Sequence, residues 1–127
     1  GAAGTNTAAI TMGGTPVLTE TELWNGTNWT EVNDLNNGRN YIGGAGTSTL
    51  ALGFAGSASD NTESWNGTNW TTQSDLNTPR NALANAGAGT QNATLGAGGD
   101  GSAAGPPNIS NLTEEWNGDT TVTFTHS

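Results

Sequence analysis

The chain repeats itself, and that repetition limits its fold more than any other feature. Thr21-Glu22-Leu23-Trp24-Asn25-Gly26-Thr27-Asn28-Trp29-Thr30 returns as Thr62-Glu63-Ser64-Trp65-Asn66-Gly67-Thr68-Asn69-Trp70-Thr71, a step of 41 residues from Trp24 to Trp65. The match continues through Asp34-Leu35-Asn36 against Asp75-Leu76-Asn77, and Arg39-Asn40 against Arg80-Asn81. A third copy opens at Thr113-Glu114-Glu115-Trp116-Asn117-Gly118 and then departs. Gly4-Thr5, Gly46-Thr47 and Gly89-Thr90 hold one common place in the segments between. Three units, roughly 1–38, 39–79 and 80–127, therefore fill a single repeat domain. A period of about 40–50 residues is that of four-stranded propeller blades, so the expected fold is all-β.

The local sequence of each unit points the same way. Asn25-Gly26 between strand-type residues is a hairpin-turn sequence, because both residues tolerate positive φ. Closed as a two-residue loop, it pairs Trp24 with Thr27 and Glu22 with Trp29. Closed as the four residues Asn25 to Asn28, it sets Trp24 directly against Trp29. Either register puts both indoles on one face of the ribbon, and Trp65 and Trp70 repeat the arrangement. The glycine-rich stretches 8–14, 49–56 and 93–99 predict inner strands, since glycine in a strand is tolerated where another backbone comes close. Asn36 to Gly38 and Asn77-Thr78-Pro79 carry turn residues and link successive units. Residues 57–61 form a short loop, and 100–111 its longer counterpart. No helix is predicted.

Composition decides what such a fold can do. Leu, Ile, Val and Phe supply only 17 of 127 residues, so the five tryptophans must carry much of the burial. Eleven acids stand against two arginines and no lysine, a net charge of −9. That excludes an electrostatic grip on nucleic acid and a basic patch for an anionic membrane. No apolar run approaches the roughly 18 residues of a membrane span. The absence of cysteine excludes disulfides and thiol chemistry. One histidine (His126) and one tyrosine (Tyr41) are too few ligands for a copper site, and no metal or cofactor is expected. Glu22, Glu63 and Glu114 each precede a tryptophan by two residues. General-acid work needs paired carboxylates in one pocket, so their unit-by-unit placement points to a structural or rim role, with glycan contact as the alternative. Arg39 and Arg80 occupy one repeat position and are expected to bond carbonyls or a carboxylate between units, with Asp34 and Asp75 as candidates. Gly43-Gly44-Ala45-Gly46-Thr47-Ser48 lacks the lysine of a phosphate loop. Gly98-Gly99-Asp100-Gly101 is a single stretch and reads as a turn. Asn25, Asn28, Asn66, Asn69, Asn92, Asn108 and Asn111 are Asn-x-Ser/Thr sites and candidate glycosylation positions. Asn25 and Asn66 are more simply hairpin-turn residues.

Gly13-Gly14 followed by Trp24 and Trp29, with Gly98-Gly99 in a later unit, resembles a kelch-type propeller repeat. The whole pattern of Ala-Gly-Thr, Gly-Gly, Thr-Glu-x-Trp-Asn-Gly-Thr-x-Trp-Thr, Asp-Leu-Asn and Arg is similar to kelch-like repeats of bacteriophage tail-fibre and virion-appendage proteins, marine ones among them. The sequence departs from that pattern at Thr121, where a second tryptophan would stand, and lacks Asp-Leu-Asn and Arg after Phe124. The resemblance implies a propeller or propeller segment used as a scaffold or binding platform.

Three blades are too few to close a ring, since propellers close with about 4–8. The expectation is completion by upstream sequence, by a second chain, or by subunits joined head to tail into a filament. The function expected is therefore a non-enzymatic structural or adhesive component of an extracellular or virion fibre, with copies of itself as partners. A subunit of a self-polymerising extracellular fibril is the first alternative. A lectin-like module binding cell-surface glycan through exposed tryptophans is the second. Packing of Trp24, Trp29, Trp65 and Trp70 between units is the expectation that separates scaffold from lectin.

Overall fold

A computed structural model of the chain describes residues 1–81, 89–100, 110–118 and 120–125, with residues 121–125 as backbone. Each repeat unit is built around the same hairpin, and its turn shows why. Asn25 N–H donates to the Asn28 carbonyl at 3.2 Å, while Asn25 Oδ1 accepts from the amides of Thr27 and Asn28, both at 2.9 Å. Only Gly26 takes positive φ, at 94°, and Gly67 and Gly118 match it at 95° and 94°. A two-residue turn of either primed type needs positive φ at its first position, which Asn25 does not adopt. The loop is therefore four residues long, and Trp24 stands directly opposite Trp29, as Trp65 does opposite Trp70.

Among the described residues, twelve strands form three antiparallel four-stranded sheets. Sheet 1 comprises β1 (Ala2–Gly4), β2 (Ala9–Met12), β3 (Thr21–Trp24) and β4 (Trp29–Val32). Sheet 2 comprises β5 (Gly43–Gly46), β6 (Ala51–Phe54), β7 (Thr62–Trp65) and β8 (Trp70–Thr72). Sheet 3 comprises β9 (Gly89–Thr90), β10 (Ala93–Ala97), β11 (Leu112–Trp116) and β12 (Thr121–Thr125). Within each sheet the strands lie side by side in chain order, and no helix occurs among the described residues. The first strands of the sheets adjoin, β1 against β5 and β5 against β9. A Cβ at Gly44 would collide with the backbone oxygen of Ala2, so close backbone approach accounts for glycine there. The stretch from Gly43 that superficially matched a phosphate loop is this buried strand.

Two clusters fill the spaces between sheets. Ile10, Met12 and Leu35 from the first unit pack with Ala51, Trp65 and Trp70 of the second. Leu52, Phe54 and Leu76 of the second unit pack with Trp116 of the third. Each sheet interface thus combines the aliphatic face of one unit with the indole face of the next.

The second cluster differs from the first in one respect. In the first, Trp70 Nε1 donates to the buried Thr21 hydroxyl at 3.0 Å. Thr62 holds the corresponding place in the second unit, fully buried, yet its Oγ1 has no partner among the described residues. Position 121 pairs with Trp116 as Trp70 pairs with Trp65, and it is threonine. Leu52, Phe54, Leu76 and Trp116 border Thr62, with no room for a water molecule among them. An indole at position 121 would bring Thr62 the donor that Trp70 brings Thr21. Thr121→Trp is accordingly expected to stabilise the fold by about 1 kcal/mol, the scale of one hydrogen bond restored to a buried group. Urea denaturation checks this, and an unchanged or lowered midpoint contradicts the assignment.

Candidate functional site

The polar groups that link one unit to the next repeat with the sequence. The segment after β4 carries Leu35 into the core, which brings Arg39 and the asparagines between them onto the indole face of sheet 2. Arg39 Nη2 meets Glu63 Oε1 at 3.0 Å, and both side chains are almost wholly buried. Arg39 Nη1 donates to the carbonyls of Ala55 and Asn61 at 3.0 and 2.6 Å. Glu63 Oε2 accepts from the Asn36 amide at 2.8 Å and from Asn36 Nδ2 at 2.9 Å, and Asn37 N–H reaches Oε1 at 3.3 Å. The next interface repeats the scheme. Arg80 Nη2 meets Glu114 Oε1 at 2.7 Å, Nη1 donates to Gly98 and Leu112 carbonyls, and the Asn77 amide donates to Glu114 Oε2 at 2.7 Å. Burial lowers the pKa of Arg39, while the charge of Glu63 and its hydrogen bond pull it back up.

The arginines thus bond carbonyls and a carboxylate between units, as expected, but the carboxylates are Glu63 and Glu114 rather than Asp34 and Asp75. Asp34 accepts from the Thr19 hydroxyl, and Asp75 from the Thr62 amide. Both aspartates sit just after the last strand of their unit and bond within that unit, whereas each arginine reaches forward into the following sheet. Sequence reasoning missed Asn36 and Asn77 as carboxylate ligands. The clue was available: the two linkers are the two places where Asp-Leu-Asn and Arg recur together.

Glu63 and Glu114 are therefore committed inside the protein and present nothing to a glycan. Glu22, at the same repeat position, is exposed. It has no partner among the described residues and stands directly opposite Glu31. With Glu20 these two line a shallow depression of about 260 Å³. Trp24 and Trp29 lie on the same face, their ring centres 5.3 Å apart, against 5.5 Å for Trp65 and Trp70. The expectation that all four are packed between units holds for Trp65 and Trp70 only. Trp24 is half-buried, with Nε1 donating to the Asn6 carbonyl, and Trp29 is 48 % exposed where Trp70 is 5 %. Sheet 1 has no unit before it among these residues, so its indole face stays open.

The remaining candidates fall elsewhere. Trp116 is buried, with Nε1 donating to the Gln91 carbonyl. Asn25 and Asn66 use their side chains to cap hairpin turns. Asn69 Oδ1 accepts from Asn33 Nδ2 across the first interface. Asn28, Asn92 and Asn111 are exposed, and Asn108 lies outside the described residues. Tyr41 is exposed at positive φ, and His126 lies outside the described residues. Among the described residues no group of acidic or histidine side chains has metal-holding geometry. The chain matches no protein-family model and no curated protein.

Removing one partner of a buried ion pair leaves an uncompensated charge, at a cost of about 3–5 kcal/mol. Arg39→Met is expected to destabilise by that order in urea denaturation. The double variant Arg39→Met/Glu63→Leu is expected to recover most of the loss. A single variant as stable as the parent contradicts the assignment of Glu63 as an ionised partner.

Proposed function

We propose that this chain is non-enzymatic scaffold: a run of kelch-like propeller repeats that forms structural or adhesive material of an extracellular or virion fibre, with copies of the same repeat polypeptide as its partners. The observation that carries the reading is the duplicated interface, in which one buried Arg–Glu–Asn arrangement joins sheet 1 to sheet 2 and again sheet 2 to sheet 3. A module that stacks through one repeated contact is stabilised by neighbours and leaves its terminal faces requiring more of them. The adjoining first strands and the four-stranded antiparallel units are the arrangement that propeller blades use. Extensive buried polar contacts between units favour an architectural role.

A lectin-like role has one observation in its favour, the exposed Trp29 beside Glu22 and Glu31. Binding on a glycan array that Trp29→Ala abolishes would move the assignment to that reading. For the scaffold, the test is a series of chains with one to five copies of residues 1–42 added before Gly1. Negative-stain microscopy is expected to show rigid arcs that grow unit by unit and then close. Independent beads on a flexible string would contradict the proposal.

A further inference from the structure

The open face of sheet 1 is the face that sheets 2 and 3 bury. Glu22 stands where Glu63 and Glu114 stand, Trp24 where Trp65 and Trp116 stand, and Trp29 where Trp70 stands. On sheet 2 this face receives Leu35, Arg39 and the asparagines between them, and on sheet 3 it receives Leu76, Arg80 and Asn77. On sheet 1 it carries three carboxylates, two of them directly opposed, beside an indole that is half exposed. Like charges facing each other across a strand pair are unfavourable, so the face is built for an incoming cation.

Resting on the scaffold reading and deepening it, we propose that this face is a docking surface for one kind of partner: a further repeat unit whose linker carries leucine and, four residues on, arginine, with asparagine next to the leucine. The arginine pairs with Glu22, the asparagine amide caps the same carboxylate, and the unit's aliphatic face covers Trp24 and Trp29. The third sheet of a second copy of these 127 residues does not meet the requirement. Both arginines of the sequence are already bound to Glu63 and Glu114, and there is no lysine. Docking of that sheet would bury Glu22 unpaired, which is strongly unfavourable. A sugar stacked on the indoles would leave the Glu22–Glu31 opposition uncompensated.

The internal geometry specifies the test. Gly4 and Gly46 both end a first strand at positive φ, 110° and 101°, so a residue joined before Gly1 would take the place of Ile42. The sequence of residues 34–42 joined directly before Gly1 of the full chain places its arginine at Glu22. Four chains are compared by urea denaturation: this extension, the extension with its arginine replaced by methionine, and both again carrying Glu22→Gln. With Glu22 present, the arginine extension is expected to raise the folded-to-unfolded ratio about tenfold over the methionine extension, the scale of one charge-assisted hydrogen bond. With Glu22→Gln that difference is expected to fall by most of its logarithm. Because Glu22 is exposed, its replacement leaves folding itself intact. Equal stability of the arginine and methionine extensions in the Glu22 chain overturns the docking proposal, as does an arginine effect unchanged by Glu22→Gln. Rigid arcs from the tandem chains with no arginine effect would reject this docking and leave the scaffold standing. Beads on a string with a Glu22-dependent arginine effect would do the reverse.

Discussion

The structure depends on a guanidinium and a carboxylate that come from different units and meet out of water. Neither sheet supplies enough aliphatic surface to hold its neighbour by apolar burial alone. The linker compensates by entering the interface with Leu35 or Leu76 and then placing an arginine over the next sheet. A buried carboxylate is costly unless it is paired and hydrogen-bonded. Glu63 meets that condition with the arginine, two backbone amides and one side-chain amide. The network fixes the register of one sheet against the next as firmly as an apolar contact would, and it accepts only a linker of the right sequence.

The tryptophan pairs show the same dependence from the apolar side. Trp24 with Trp29 and Trp65 with Trp70 have nearly the same internal geometry, ring centres 5.3 and 5.5 Å apart. Only the second pair is buried, because only it has a preceding unit to lie against. The indoles are thus a property of the hairpin, and their burial a property of the stack. Position 121 supports this from the opposite end. Where the repeat loses its outer tryptophan, Thr62 loses its donor.

Much of this was legible in the sequence. The repeat period set the number of units, and Asn-Gly located the hairpins. The glycine-rich stretches 8–14, 49–56 and 93–99 form the second strand of each sheet rather than the innermost, and the strands that adjoin are the first ones, where Gly44 lies against Ala2. The hairpin register was not decidable from Asn25-Gly26 alone. The choice turned on whether Asn25 would adopt positive φ or use its side chain to hold the turn, and the two options have equal sequence signatures. The partner of Arg39 was likewise hidden. Asp34 is near in sequence, but a linker that turns toward the next sheet brings Glu63 nearer in space. Periodicity reports which residues are equivalent; it does not report which equivalent residues touch.

Native-state hydrogen exchange at the amides of Asn36 and Asn77 tests the central claim most directly. Both residues sit in exposed linkers, yet each donates its backbone N–H to the carboxylate of the following sheet. If those carboxylates hold the units together, both amides exchange only when the interface opens, at rates close to those of the adjoining strands. Exchange of either amide at the rate of an open loop would show that the interface is not built as described.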